Sequence, residues 1–142
     1  MYNRILLPID LNHKASWTKS LPTALQLCRD YTASLHVVMV IPDFGLPLVG
    51  GFFPKEYAEK AKQAITDNLK EFVKANVPKD IKVQRIVADG KAYEAILRVA
   101  KKIDADLIVM ASHKRKRAED YVLGTNALRV VQLSRTSVMI VR

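Results

Sequence analysis

The chain has only one cysteine, Cys28, among its 142 residues. A lone cysteine closes no internal disulfide, so this is not a disulfide-stapled extracellular scaffold and is expected in a reducing cytoplasm. No apolar run approaches the roughly 18 residues of a membrane-spanning helix. The opening residues, Met1-Tyr2-Asn3-Arg4-Ile5, lack the basic, apolar and small-residue regions of a secretion signal. Catalytic signatures are missing too. There is no G-x-x-x-x-G-K-[ST] loop, no G-x-G-x-x-G after the first strand, no G-x-S-x-G, no H-E-x-x-H and no Cys/His cluster. His13 and His36 lack partners at metal-ligand spacing and read as structural residues. Asp10 has no adjacent acid, so a phosphoacceptor receiver is not indicated either.

What is present is enough for a packed core. Hydrophobic residues make up 49% of the chain, and the length suits one domain covering 1–142. The formal charge is +9 and uneven. Residues 91–142 hold eleven Lys/Arg against five Asp/Glu, or +6, whereas residues 1–50 carry only +1 (four against three). Such a field draws anions: nucleotides, nucleic acid or an acidic protein. The basic residues come without a helix-turn-helix, zinc-finger or aromatic-basic RNA motif, which makes nucleic acid an unlikely partner.

Apolar spacing outlines the elements. Residues 4–10 read as a short buried strand whose pairing should stop at Pro8, since proline brings no ladder donor. Trp17, Leu21, Ala24, Leu25, Cys28 and Tyr31 follow helical spacing, with Pro22 in a first turn or at a kink. Residues 35–41 are a valine-rich second strand. Residues 42–51 form a loop rich in Pro and Gly, long enough to act as a binding lid. The longest helical pattern runs over 54–76, followed by an edge-like strand at 81–88 with Lys82, Gln84 and Arg85 outward. Ala92, Ala95, Ile96, Val99, Ala100 and Ile103 form a clean helical stripe. Residues 107–111 then read as a strand, those near 126–134 as a helix and 136–141 as a last strand. Strict alternation of strand and helix predicts an α/β fold: a single-domain, five-stranded, mostly parallel sheet with helices on both faces, Rossmann-like. In such sheets ligands bind at the carboxyl ends of strands where strand order reverses. The first and fourth strands are candidates to flank that crevice, and they end in Pro8-Ile9-Asp10 and Met110-Ala111-Ser112-His113.

The last third of the chain proposes a ligand class. After the fourth strand come Ala111, Ser112 and His113, then four consecutive cations, residues 114–117, then Leu123-Gly124-Thr125-Asn126 opening a helix. Gly124 permits φ > 0 and close approach of a phosphate; Thr125 or Asn126 can cap the helix, whose free N–H groups face an anion. The ordinary alternative is a capped helix start. Ser112 can donate to a phosphate or ribose oxygen or simply close a turn. His113 donates when protonated. Residues 114–117 can close over phosphates as a cationic flap, or serve only as a solvated loop. Asp10 suits a ribose hydroxyl, an adenine amino group or Mg²⁺ better than phosphate, and otherwise caps the following loop. Cys28, on the apolar stripe of the first helix, is core packing.

These residues resemble the universal stress protein family over essentially the whole length. Ile5-Leu6-Leu7-Pro8-Ile9-Asp10 is similar to the family's opening I-L-V-P-V-D, Asp104-Ala105-Asp106-Leu107-Ile108-Val109-Met110 to its A-D-L-I-V-M strand, and Ser137-Val138-Met139-Ile140-Val141-Arg142 to its closing P-V-L-V-V-R, without the proline. Gly90 with Ile96 matches its G-x-x-x-x-x-I. The ATP-binding branch carries G-x-x-G, nine residues, then G-S or G-T. Here Ala111-Ser112-His113-Lys114 and Gly124-Thr125 keep that spacing, with both first glycines replaced by Ala111 and Lys114. The resemblance implies an adenine nucleotide alpha hydrolase-like fold and a regulatory module binding ATP or a related adenine nucleotide, with or without Mg²⁺. It implies a site built from Pro8, Ile9, Asp10, Val40, Ile41, Met110, Ala111, Ser112, His113, Lys114, Gly124, Thr125 and Asn126. Val40 and Ile41 would offer backbone groups and apolar surface to adenine. It also implies a homodimer through the last strand, with an unidentified regulatory protein as a further partner. Enzymatic activity is not indicated beyond slow ATP hydrolysis. The rival reading is a nucleotide-free relative acting only through protein contacts.

Overall fold

The computed structural model describes residues 1–41, 55–112 and 124–142. In chain order the elements are β1 (Arg4–Ile9), a 3-10 turn (Lys14–Ser16), α1 (Ser20–Tyr31), β2 (Ser34–Ile41), α2 (Lys55–Asn76), β3 (Val83–Asp89), α3 (Ala92–Lys102), β4 (Leu107–Ala111), α4 (Thr125–Leu133) and β5 (Ser137–Val141). The five strands lie in the order β3-β2-β1-β4-β5, and every pair is parallel. The alternation of elements thus produced the doubly wound sheet it predicts.

Two apolar layers cover the sheet. On one face Leu21, Ala24, Leu25 and Cys28 of α1 and Leu69 and Val73 of α2 pack on Ile5, Leu7, Leu35 and Val37. On the other, Ile96, Val99 and Ala100 of α3 and Ala127 and Val130 of α4 pack on Leu6, Val38 and Ile108. Leu6 sits between Ile5 and Leu7 and faces the opposite layer, as strand alternation requires. The central strands β1, β2 and β4 are largely buried on both faces and accordingly read as near-continuous apolar runs, with the buried His36 as the polar exception in β2. β3 is partly exposed and ends the sheet on one side, which agrees with its outward Gln84 and Arg85.

Several boundaries moved. α1 begins at Ser20, and Trp17 lies ahead of it, edge-on to Phe72 of α2 with ring centroids 4.9 Å apart. Pro22 is the third residue of α1, where its absent N–H would have had no partner within the helix, so the helix runs through it to Tyr31. Ile81 is buried in a turn before β3, its N–H donating to the Pro78 carbonyl at 3.2 Å. Pro8 did not stop β1, which runs to Ile9 in register with β2. The expected loop at 42–51, Pro54 and the basic residues 114–117 fall outside the described residues.

Candidate functional site

Strand order reverses at β1, which has β2 on one side and β4 on the other. The two ladders are unequal. β1 and β2 pair over six positions, Arg4↔Ser34 to Ile9↔Met39, whereas β1 and β4 pair only at Ile5↔Leu107 and Leu6↔Ile108. Pro8 supplies the reason. The Asp106 N–H donates to the Arg4 carbonyl at 3.0 Å, so Arg4 turns its backbone groups toward β4. Backbone groups alternate sides along a strand, so Leu6 and Pro8 also face β4. The donor due at residue 8 does not exist, the ladder to β4 lapses, and the ladder to β2 continues undisturbed. A sheet that should zip to its carboxyl edge opens one step early.

Beyond that break lies a hollow of about 130 Å³. Pro8, Ile9 and Asp10 at the end of β1 form one wall, and Met110 and Ala111 of β4 the other. Val40 of β2 and Ile96 of α3 add apolar surface. Two helices start at this hollow, α3 with Ala92 and α4 with Asn126 and Ala127. Neither N-cap residue, Lys91 or Gly124, supplies a side-chain hydrogen bond to its helix. The partial positive charge of both helix starts thus lies at the edge of one hollow, offset in part at α3 by Glu94 in its first turn. Gly90 makes the approach of α3 possible. Its φ is +109°, its N–H donates to the Ile41 carbonyl at 3.1 Å, and the turn it forms swings the chain from β3 into α3.

Asp10 is held in place. Its Oδ1 accepts the Asn12 N–H at 2.9 Å, and its Oδ2 lies 2.8 Å from His13 Nδ1. Its own backbone is clamped by the buried Ser16, whose Oγ accepts the Asp10 N–H at 2.8 Å and donates to the Asp10 carbonyl at 3.0 Å. The capping role expected as the ordinary alternative is thus realised, while the residue still lines the hollow.

Of the residues expected at a site, Pro8, Ile9, Asp10, Val40, Met110, Ala111 and Asn126 converge on the hollow. Ile41 is buried beside it without lining it, its carbonyl engaged by Gly90. Ser112 lies past the end of β4, its N–H donating to the Val141 carbonyl at 3.0 Å, and it lines a different hollow. Gly124 corrects an expectation: it is the N-cap of α4 with φ −54° and ψ 151°, extended backbone open to any residue, so no positive φ is used. Thr125 and Asn126 are the first two residues of α4 rather than its N-cap. His113 and Lys114 lie outside the described residues. Ser16, Ala92, Ile96 and Ala127 line the hollow unforeseen. Ile96 was visible as a motif position, but nothing in a linear reading distinguishes a helix residue facing the core from one facing a crevice.

Larger hollows open at the opposite end of the sheet. One of about 680 Å³ is bounded by Arg29, Ser34 and Asp80, another of about 650 Å³ by Asp104, Asp106 and Arg135. Two displaced titrations belong to buried residues away from the hollow between β1 and β4. Burial pushes the Cys28 thiol up to about 11, and burial followed by the Arg4 charge lowers the pKa of His36. Among the described residues no group of three or more His, Cys, Asp or Glu is placed to hold a metal ion, and no helix is long and apolar enough to cross a membrane.

A doubly wound parallel sheet with a crevice at its switch point and two helix starts beside it defines a Rossmann-like α/β domain. The sequence profile of the universal stress protein family matches residues 1–142, and the chain belongs to that family. Universal stress protein YxiE of Bacillus subtilis is 29% identical, with all of both chains covered. Among solved structures, a universal stress protein in complex with cAMP superposes with a TM-score of 0.63 at 19% identity, covering 99% of this chain and 97% of that one. A universal stress protein of Archaeoglobus fulgidus in complex with dAMP gives the same score and identity, covering 99% and 98%. At such identities the likeness is one of fold.

Proposed function

We propose that this chain is a cytoplasmic regulatory module that binds ATP or a related adenine nucleotide in the β1/β4 crevice, acting as one universal stress protein domain over 1–142. The observation carrying this reading is the pair of helix starts, without side-chain caps, at an apolar-walled hollow where the sheet opens. The hollow, about 130 Å³, is far smaller than the roughly 300–1,000 Å³ of a site enclosing a whole small molecule. It suits one flat ring, placed against Val40, Ile96 and Met110, with ribose and phosphates directed outward along α4. A helix start contributes about 0.3–1 kcal/mol per phosphate charge. Asp10 stands at the β1 wall for the nucleoside end. A Mg²⁺ ion would be held chiefly by phosphate oxygens, since the one carboxylate here already has two partners. The relatives of the same fold in complex with cAMP and dAMP support the ligand class.

Asn126→Asp tests the placement. A carboxylate in the first turn of α4 favours the helix but repels phosphate. ATP affinity measured by thermal-shift titration should fall about tenfold, while adenosine affinity stays within about twofold. Equal binding of ATP by both proteins would remove the phosphates from this helix start.

The same module is proposed to pair through β5, which ends the sheet opposite β3 and leaves one edge unpaired. Val138, Met139, Ile140 and Val141 on that strand are only partly buried. Sedimentation velocity should give a dimer that Ile140→Lys converts to monomer; a monomeric parent chain ends the idea.

A further inference from the structure

A second hollow, of about 500 Å³, lies at the carboxyl ends of β4 and β5, with Ala111 as the wall it shares with the crevice. Three permanent cations line it: Lys14 from the 3-10 turn, Lys19 just before α1 and Arg142 just after β5. None of the three is in an ion pair among the described residues, where the ion pairs are Arg4 with Asp104, His13 with Asp10 and Arg29 with Asp80. Among the described residues the other polar lining groups are Asn12, His13 and Ser112, and no Asp or Glu side chain lines the hollow. The nearest acid by its contacts, Asp10, is committed to the Asn12 N–H and the His13 ring.

Like charges gathered from two distant parts of the chain, the β1–α1 connection and the end of β5, repel one another, and an anion between them relieves that repulsion. A concave surface lined by one sign of charge also focuses its field and concentrates counter-ions. The donors fit phosphate: a guanidinium offers a two-pronged contact, and two ammonium groups offer point charges. We propose that this hollow is a second anion site, taking a phosphate-bearing small molecule on the β5 side of β4 independently of any ligand in the crevice. The assignment does not rest on the adenine reading, because its residues and probe are separate.

Inorganic pyrophosphate is the probe, titrated calorimetrically into the whole chain alone, with saturating adenosine and with saturating ATP. Saturable binding is expected in all three. The triple variant Lys14→Gln/Lys19→Gln/Arg142→Gln should weaken it at least about tenfold, while Lys101→Gln/Lys102→Gln on α3 leaves it unchanged. The substituted side chains are exposed and make no ion pair among the described residues, so the melting temperature should hold; Lys19→Gln alone gives the same readout at smaller size. Absence of saturable binding, binding the triple variant retains, or displacement of pyrophosphate by ATP would each overturn the proposal. In the last case the hollow would be the seat of the nucleotide's own tail. Failure of adenosine to bind would count against the crevice reading and leave this one standing.

Discussion

The two ends of the sheet differ in how their polar groups are used. At the amino ends of the strands the hollows are large, about 680 and 650 Å³, yet key polar groups there are engaged in closing the fold. Asp106 accepts from the Asn3 N–H at 2.8 Å and the Arg4 N–H at 3.2 Å, tying the start of β1 to the start of β4. Arg4 reaches Asp104, Arg29 reaches Asp80 at 3.1 Å, and Ser34 Oγ donates to the Asn3 carbonyl. At the carboxyl ends the central hollow is small, but the β1–β4 ladder has lapsed and two helices begin without a side-chain cap. The contrast is one of use: polar groups at the amino ends close the fold, whereas the break in backbone pairing at the carboxyl ends leaves the hollow that we propose as the binding site.

Substitutions at the two ends should therefore separate stability from binding. Asp106→Ala removes the acceptor for two backbone N–H groups and should cost about 2 kcal/mol in urea denaturation, leaving nucleotide affinity unchanged. A parallel loss of affinity would break the division between the ends. Pro8→Ala should do the reverse. It restores a donor on the β4 side, so the ladder can extend and narrow the crevice. A new hydrogen bond of about 0.5–1.5 kcal/mol is offset by the greater unfolded-state entropy of alanine, about 0.4–1 kcal/mol. Stability should stay within about 1 kcal/mol while nucleoside affinity drops about tenfold. An unprotected residue 8 amide in hydrogen exchange, with unchanged affinity, would remove proline as the cause of the opening.

The smallest expected effect is a pH dependence that belongs to the amino end. His36, buried on β2 with its Nε2 3.1 Å from Ser34 Oγ, has its pKa lowered by burial and then by the Arg4 charge, with Gln84 opposing. The folded protein therefore binds fewer protons than the unfolded chain below about pH 6.5, and stability should decline as pH falls through that value, levelling once the folded pKa is passed. Denaturant midpoints between pH 7.5 and 5 should show that slope, and His36→Leu should flatten it. A slope unchanged in the variant would place the titration elsewhere.

The architecture was largely legible in one dimension because burial imposes periodicity. The doubly apolar runs at 35–41 and 107–111 read as central strands, and the polar alternation near Lys82, Gln84 and Arg85 read as an edge. Part of the lining of the candidate hollow was legible as well, since strand ends in a doubly wound sheet meet at a known place; Pro8, Asp10, Val40, Met110 and Ala111 line one hollow. Less was legible where one residue serves two neighbours. Pro8 was expected to end a strand, but it interrupts the ladder on one side only. Gly124 was expected to use glycine's freedom and does not, because the approach to α4 is extended.

The order of elements, their amphipathic faces and the unevenness of charge are local or additive properties, and the amino-acid order was sufficient to set them. Which strand ends share a crevice, that α3 brings Ala92 and Ile96 to its wall, and that Lys14, Lys19 and Arg142 meet around one hollow depend on contacts between distant segments. Those contacts follow from close packing of two helical layers on a twisted sheet, a condition on the whole chain at once that no stretch of it contains.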